Sequence, residues 1–400
     1  MKIMKNFFFY SLIAVSALLV SCNEEDPKPT PVEETELTVS ANITENTTWE
    51  TGKTYILGAR IAVLSGVTLT IEPGVIVKGQ AGSGSNATAL IIARGGKLMA
   101  EGTAAKPIIF TSIADEIEPG QIASPNLDPT LNGLWGGLIV LGNAPISADA
   151  EAVQIEGIPA SDQNGLYGGT KADDNSGVLK YISIRHGGAN IGEGNEINGL
   201  TLGGVGSATV IENIEIVANQ DDGIEWFGGL VNVSNVVVWN TGDDAIDTDQ
   251  AWSGVLNNFI VINPGDEALE LDGPEGSLDG FHTIQNGSIQ ALAAEGLADL
   301  DNSSDEAKKF SNSKLTLTNI YFFDMDMALE QDFDDNPSTL TLSNIQATLP
   351  ADTLNVADFF KKGSDARVTL VTRGNNSVGA DASKFESWSW ASEAGALSDF

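Results

Sequence analysis

Cysteine is almost absent from this sequence, because its 400 residues contain only Cys22. No disulfide can form within the chain, so the fold must be stabilised by its core. Long apolar runs are also scarce: the one that stands out, residues 7–20, is about 14 residues, whereas a membrane-spanning helix needs about 20. These absences exclude a disulfide-stapled domain and argue against a chain that threads a membrane.

Basic residues are also few in this sequence. The chain has 20 Lys and Arg against 55 Asp and Glu, which gives a formal net charge of −35, and it has only two histidines. Such a surface repels nucleic acid and anionic headgroups, so we expect no nucleic-acid partner. Metal cations, basic patches on partner proteins and neutral sugars stay open as ligands. The alternative is an acidic surface that only keeps the protein soluble.

The N-terminus has the pattern of a lipoprotein signal. Lys2 and Lys5 precede the apolar run, which ends in the tetrapeptide Leu19-Val20-Ser21-Cys22. A plain secretory signal requires no cysteine after its small residue, so the pattern predicts a signal peptide over 1–21 and a lipid anchor, with fatty acids such as palmitate, on Cys22. Acids and prolines then predict an unfolded tether over 22–37. Residues 38–400 are predicted to form a single domain.

An internal repeat dominates the middle of the chain. In each of the segments 213–225, 235–247 and 258–270, the second of two adjacent acids stands nine positions after the initial Asn. Weaker copies begin at Asn286 and Asn319. Alternating apolar residues between Asn, Asp and Gly predict strands of about three to five residues joined by turns. A propeller blade needs roughly 40 residues, and the leucine-rich pattern is missing.

These features predict an all-β fold, a right-handed parallel β-helix in which each strand lies on its equivalent in the next coil. Asn213, Asn235 and Asn258 are expected to stack at a corner, where Asn tolerates a left-handed backbone. Thr48 and Trp49, with the irregular segment after them, are expected to cap the N-terminal end, and Trp388-Ser389-Trp390 the other end. Loops are expected to project over 113–132 and 144–176.

Several longer motifs resemble one known family. They are Thr68-Leu69-Thr70-Ile71-Glu72-Pro73-Gly74, Glu101-Gly102-Thr103 with 107–112, Trp135-Gly136-Gly137 with 138–142, Ile184-Arg185-His186-Gly187-Gly188-Ala189, and 243–250. The region from about Thr48 to Trp390 is similar to Bacteroidetes-type cell-surface β-helix lipoproteins, related in pattern to leptospiral outer-membrane lipoproteins, with a pectin-lyase-like fold. The acidic tether also resembles the signal that exports such lipoproteins to the outer face of the outer membrane. The resemblance implies a fold and a location, but no settled activity.

A catalytic site, if there is one, has few candidates. A polysaccharide lyase needs a base and cations that neutralise a uronate carboxylate, and Arg185 beside His186 is the one basic pair in the repeat core. The alternative is a structural turn pair that bonds to Asp or backbone. His282 is a weaker candidate, and a glycosidase would use two of the many carboxylates.

A stronger pattern is a ladder of acids. Ile224, Ile246 and Leu269 are predicted to point inward, so Glu225, Asp247 and Glu270 should point outward on strands about 4.8 Å apart. Like charges at that spacing repel, and oxygen-rich clusters suit Ca²⁺. The predicted metal ligands are Glu225, Asp243, Asp244, Asp247, Asp249, Glu270 and Asp272. An exposed, solvated acidic face is the alternative.

The sequence therefore predicts a monomeric lipoprotein, anchored in the outer membrane and facing the exterior. It would bind a ligand or partner without catalysis, with a polysaccharide or an outer-membrane transporter as candidate partners. The alternative function is a polysaccharide lyase or glycosidase that acts in the groove of the β-helix.

Overall fold

Nearly all of the regular structure is β-strand. The computed structural model describes residues 35–82, 84–191, 196–300, 314–331, 333 and 340–400. The predicted signal peptide, Cys22 and most of the predicted tether lie outside these residues. The strands are β1 (Glu36–Val39), β2 (Thr47–Trp49), β3 (Thr54–Leu57), β4 (Ile61–Val63), β5 (Thr68–Ile71), β6 (Ile76–Gly79), β7 (Leu90–Ile92), β8 (Lys97–Glu101), β9 (Ile108–Ser112), β10 (Leu138–Leu141), β11 (Val153–Gln154), β12 (Leu166–Tyr167), β13 (Gly177–Arg185), β14 (Leu200–Gly203), β15 (Val210–Val217), β16 (Ile224–Phe227), β17 (Val233–Trp239), β18 (Ile246–Asp249), β19 (Val255–Ile262), β20 (Leu269–Leu271), β21 (Phe281–Gln290), β22 (Lys314–Phe323), β23 (Leu340–Ala347) and β24 (Val368–Leu370). The two short α-helices are α1 (Val356–Phe359) and α2 (Trp390–Glu393).

Two long parallel sheets wind around one core. The first sheet has 15 strands in the order β1-β3-β6-β9-β13-β15-β17-β19-β21-β22-β23-β24, with β2-β5-β8 joining at β13. The second sheet has seven strands in the order β20-β18-β16-β14-β10-β7-β4. Successive coils add one strand to each sheet, as in β15, β17 and β19 of the first and β16, β18 and β20 of the second. The predicted right-handed parallel β-helix is confirmed.

A column of asparagines turns the chain within the long strands of the first sheet. Asn213, Asn235 and Asn258 have positive φ angles of 59°, 56° and 62°. The Asn235 amide donates to Asn213 Oδ1 at 3.0 Å, and the Asn258 amide donates to Asn235 Oδ1 at 2.8 Å. The predicted Asn corner is therefore confirmed. The column continues through Asn286, Asn319 and Asn344, which also have positive φ.

The interior face of the second sheet is also as predicted. Ile224, Ile246 and Leu269 lie side by side in register and have no solvent exposure. Because side chains alternate along a strand, the residues that follow them point away from the core. This register places the acidic ladder on the outer surface of the second sheet.

The N-terminal end differs from the expectation. Thr48 and Trp49 are part of the regular strand β2, which pairs with β5, and are not an irregular cap. Trp49 is buried and stacks on Tyr55 with ring centroids 4.7 Å apart. The segment belongs to the first coil because its tryptophan completes the core there, and β1 forms the edge of the sheet.

The expectation for the C-terminus was also wrong. Residues 380–400, here called the C-terminal strap, fold back along the outer surface of the first sheet and do not cap the last coil. Trp388 packs against Tyr181 and Trp390 against Trp239, with ring centroids 5.6 and 5.9 Å apart. The physical reason is a row of outward apolar residues that needs a cover: Val217, Val237, Trp239, Ile260 and Ile262.

The predicted loops project from the coils at 113–132 and 144–176. The second of them, here called the insertion (144–176), contains the antiparallel pair β11 and β12. Its Ile146, Ile155 and Ile158 pack on Ile91 and Ile139 of the second sheet. The insertion thus covers the apolar, N-terminal half of that outer surface and ends where the acidic half begins. No helix among the described residues is long and apolar enough to span a membrane.

Candidate metal centre

The acidic ladder lies in register on the second sheet. Glu225 pairs with Asp247, and Asp247 with Glu270, on adjacent strands. The stacking predicted from the repeat is thus present. However, Glu225 and Asp247 are only 5% and 8% exposed. The ladder is therefore not the solvated face that the sequence left open as the alternative, since its first two carboxylates are withdrawn from water.

Three carboxylates converge at one point. Asp222, Glu225 and Asp247 each offer an oxygen, and these oxygens lie within 4.8 Å of one another. All three residues are buried. In a second group, Asp221, Asp222 and Asp243, the carboxylate oxygens also lie within 4.8 Å of one another. The two groups share Asp222. We call Asp222, Glu225 and Asp247 the carboxylate cluster.

Asp222 was missed as a ligand by sequence reasoning. It belongs to the acidic pair that precedes β16, and the equivalent residue in the next coil, Asp244, was predicted instead. Asp222 Oδ1 accepts the backbone N–H of Asp244 at 3.1 Å, and Asp244 Oδ1 accepts that of Glu267 at 2.6 Å. One oxygen of each Asp thus closes a turn, so the repeated Asp has a structural function besides any binding function.

Two further residues complete the surroundings of the cluster. The amide nitrogen of Asn198 donates to Glu156 Oε1 at 3.1 Å and also to Glu225. Asn198 is fully buried, and its Oδ1 has no hydrogen-bond partner among the described residues. Glu156 comes from the insertion. Neither residue lies in the aligned repeats, so no periodic signal pointed to them.

Burial makes the negative charges of the carboxylate cluster unfavourable. Removal from water, reinforced by neighbouring carboxylates, raises the pKa of Glu225, Asp222 and Asp247 well above the ordinary range. Burial also raises the pKa of Glu156 to about 7 and that of Asp221 to about 8. Each anion is unfavourable there unless a proton or a cation balances it.

The remaining predicted ligands are distributed around the cluster. Asp243 belongs to the second group. Asp244 accepts the backbone N–H of Glu267, as described above. Glu270 and Asp272 are half-buried on the next coil. Asp249 lines a cavity of about 640 Å³ together with Glu156 and Glu225. The structure thus brings Glu225, Asp247 and Asp243 into groups of converging carboxylates, and leaves Asp249, Glu270 and Asp272 outside them.

The chemistry of these donors suits a hard divalent cation. Carboxylate and amide oxygens are the ligands of Ca²⁺, which accepts six to eight oxygens in flexible geometry. Asp222, Glu225 and Asp247 would hold the ion, and Asn198, whose amide nitrogen donates to Glu225, has a buried oxygen without a partner among the described residues. The donor set fits Ca²⁺ because every donor atom is an oxygen.

Arg185 and His186 lie elsewhere, beneath the C-terminal strap. Arg185 has no solvent exposure; its Nε donates to Ser183 Oγ at 2.7 Å, and its guanidinium lies 3.5 Å from Glu215 Oε2 and 5.0 Å from the ring centroid of Trp390. His186 Nδ1 lies 2.5 Å from the carbonyl oxygen of Leu131. This placement favours the structural alternative, a buried pair that bonds to a carboxylate and to backbone.

His282 is also withdrawn from solvent. Its ring packs against Trp252, with centroids 5.4 Å apart, and burial lowers its pKa to about 4. A neutral imidazole in that position contributes to packing between coils. Neither histidine faces the carboxylate cluster.

Comparison with known proteins gives one family. The family model for a pectate-lyase-like β-helix domain matches residues 41–393. No curated protein and no solved structure matches the chain significantly.

Proposed function

Because the chain belongs to the pectate-lyase-like β-helix family, and because its acids converge on the outer surface of the second sheet, we propose that it is a Ca²⁺-dependent binding protein. The cation occupies the carboxylate cluster and a ligand binds beside it. The protein does this on the exterior of the outer membrane, where Cys22 anchors it through lipid.

One observation in particular supports the proposed cation site. Three buried carboxylates meet within 4.8 Å of one another, next to a fully buried amide whose oxygen has no partner. Without a counterion, two charges within that distance repel by at least about 3.5 kcal/mol at an effective dielectric of 20. Among the described residues, no Lys or Arg forms an ion pair with these three acids. A divalent cation supplies the missing positive charge.

The ligand has room next to the cluster. The 640 Å³ cavity shares Glu156 and Glu225 with the surroundings of the cation and is bounded by Phe227 and Tyr167. Its described lining contains no Lys or Arg, which a lyase would need beside a uronate carboxylate. A binding function without catalysis is consistent with this lining. A polysaccharide segment or a surface of an outer-membrane transporter are the partners we propose.

The experiment is calorimetry of the full chain, purified in detergent and treated with a chelator. Saturable Ca²⁺ binding is expected, and Asp247→Asn should weaken it by at least about tenfold, or about 1.4 kcal/mol. Asp352→Asn, on an exposed turn, makes the same chemical change outside the site and should bind as the parent does. Absence of binding at about millimolar Ca²⁺, with an unchanged melting temperature, contradicts the proposal.

A glycosidase is the second candidate function, and one observation favours it. Glu156, with its pKa raised to about 7 by burial, lines the same cavity as Asp249 and would serve as a general acid near neutral pH. Incubation with polysaccharides separates the two functions. New reducing ends indicate a glycosidase and unsaturated ends a lyase, whereas a binding protein retains its ligand unchanged.

A further inference from the structure

Basic residues meet at one cavity at the edge of the insertion. Arg94, Lys97 and Lys171 line a space of about 570 Å³, together with backbone of Gly168 and Gly169. We propose that this cavity, here called the basic cavity, is a binding site for an oxyanion carried by a small ligand, namely a carboxylate, sulfate or phosphate group.

Two of these cations have no carboxylate partner among the described residues. With 55 acids against 20 bases, a cation is expected to find a carboxylate. Lys53, Lys180 and Arg373 do so, with Glu50, Glu212 and Asp324 respectively. Among the described residues, neither Arg94 nor Lys97 forms an ion pair. Two unpaired cations thus line the same cavity.

Arg94 is held in place without being neutralised. The guanidinium is half-buried, and its Nη1 donates to the carbonyl oxygen of Gly168 at 2.8 Å. One bond to a neutral acceptor orients the planar group and leaves its other N–H donors for a ligand. A guanidinium so fixed favours two parallel bonds to one oxyanion. Lys97 is exposed and adds a second positive charge from the start of β8.

Positions 168 and 169, in the wall of the basic cavity, both require glycine. A Cβ at Gly168 would lie 2.7 Å from the carbonyl oxygen of Glu151, and one at Gly169 would lie 2.8 Å from that of Asn143. Both residues also have positive φ, 91° and 156°. Because a Cβ would clash with neighbouring backbone at both positions, glycine is required where this part of the wall packs against residues 143 and 151.

The acids at the basic cavity are engaged elsewhere or lie at its rim. Asp174 Oδ2 accepts the backbone N–H of Asn143 at 3.0 Å, and its other oxygen lies 3.4 Å from Lys171 Nζ. Glu151 is exposed. Asn175 Oδ1 accepts the N–H of Gly177 at 2.9 Å, which leaves the amide nitrogen of Asn175 as a further donor. The lining thus contains several hydrogen-bond donors that an oxyanion could accept from.

The charge of the whole chain limits the class of ligand. A net charge of −35 repels long polyanions, so the basic cavity selects a single oxyanion group on a small molecule or at the end of a chain. The cavity beside Glu225 has only acids among its charged lining residues. The two cavities therefore differ in the charge of their linings, and the basic cavity is a separate site.

The test is calorimetry of the full chain in detergent with chelator present, so that no Ca²⁺ site contributes. Inorganic sulfate, inorganic phosphate and acetate are titrated first, then a sulfated, a phosphorylated and a uronic monosaccharide, at constant ionic strength. Saturable binding of at least one probe is expected. Equal affinity for an inorganic ion and its sugar indicates a free anion as the ligand, and tighter binding of the sugar indicates an anionic saccharide.

Variants separate the site from general charge effects. Arg94→Gln and Lys97→Gln should each weaken binding by at least about tenfold, while Lys180→Gln, which removes a base paired with Glu212 outside the basic cavity, should not. The side chain of Lys97 makes no described hydrogen bond or ion pair, so its variant should fold even if Arg94→Gln does not. No saturable binding by any probe, or equal weakening in all three variants, overturns the proposal.

Discussion

At the scale of single residues, the carboxylate cluster stands out because its members give up hydration without gaining a cation from the protein. Asp222, Glu225 and Asp247 are buried, and their pKa values are raised by that burial and by one another. Each would gain a counterion from bound Ca²⁺. The pH dependence of stability follows from the same residues.

We expect the chelator-treated protein to lose stability as pH rises. The pKa of Glu156 is raised from 4.5 to about 7, and that of Asp221 from 3.8 to about 8. The folded chain therefore binds these protons more tightly than the unfolded chain. Their contribution is fully present below the unfolded pKa values and is lost as pH rises through the folded ones. The melting temperature should fall between about pH 5 and about pH 8.

Added Ca²⁺ is the control for this prediction. Because the cation replaces the proton as counterion, it should remove most of the fall at about pH 8 and change little at about pH 5. A melting temperature that is independent of pH without Ca²⁺ would contradict the pKa assignment.

How far these residues could be foreseen depends on whether they repeat. Glu225 and Asp247 were predictable because inward Ile224 and Ile246 fix the alternation of a strand. Asn198 and Glu156 were not, since one precedes the three aligned copies and the other lies in the insertion. Their approach to Glu225 depends on how the insertion packs, and no local pattern encodes that packing.

At the scale of elements, the Asn column combines a backbone requirement with a side-chain bond. Each Asn adopts a left-handed conformation, and its amide joins it to the coil before. Periodicity was enough to predict this element, because a residue type that recurs at one position of a coil must stack.

Two substitutions at Asn235 should separate the two contributions. Asn235→Gly keeps the left-handed backbone but loses two amide bonds, and we expect a loss of about 1–2 kcal/mol. Asn235→Ala also places a Cβ in a left-handed conformation, which should lower the free energy of unfolding by about 1 kcal/mol more. Denaturant unfolding of both variants measures the difference. Equal stability of the two would contradict a backbone contribution.

The C-terminal strap is the element that sequence reasoning misplaced. Trp388 and Trp390 were expected to cap the C-terminal end of the β-helix, because the outward apolar row of β15, β17 and β19 was not recognised. The sequence of β17, with consecutive buried valines, is compatible with burial on both faces, and that signal was available. Glu215 Oε1 accepts the N–H of Ala391 at 2.8 Å, so a polar bond also holds the strap.

Truncation of Trp390 should therefore destabilise the protein. The side chain is 4% exposed and packs on Trp239, His186 and the guanidinium of Arg185. We expect Trp390→Ala to cost about 3–5 kcal/mol in the free energy of unfolding. Leu370→Ala, on a residue 44% exposed, should cost less than about 0.5 kcal/mol. Comparable losses in both variants would show that the strap adds no specific packing.

At the scale of the whole molecule, the fold could be predicted from the sequence, but the function of its surfaces could not. A repeat of short strands that cannot bury its apolar side alone has few solutions besides a β-helix, and the coils confirm that solution. The same regularity offers many equivalent surfaces. The insertion and the C-terminal strap distinguish one surface from another, because they cover some faces and leave the carboxylate cluster beside a cavity.

The proposed anchor makes a prediction about location. Lipid attachment requires the sulfur of Cys22, so Cys22→Ser should release the protein into the soluble fraction or leave the signal peptide uncleaved. Fractionation with immunoblotting measures this, and Ser21→Ala, which keeps a small residue before the cysteine, serves as the matched control. A Cys22→Ser chain that is processed normally and remains with membranes would contradict the anchor.

The central claim, a Ca²⁺ site in the carboxylate cluster, is tested most directly by diffraction from crystals of the full chain grown with Ca²⁺. The account predicts an anomalous peak about 2.3–2.6 Å from oxygens of Asp222, Glu225 and Asp247, with Asn198 Oδ1 turned towards it. A well-ordered cluster without such a peak at about millimolar Ca²⁺, or a peak bound by other residues alone, would contradict it.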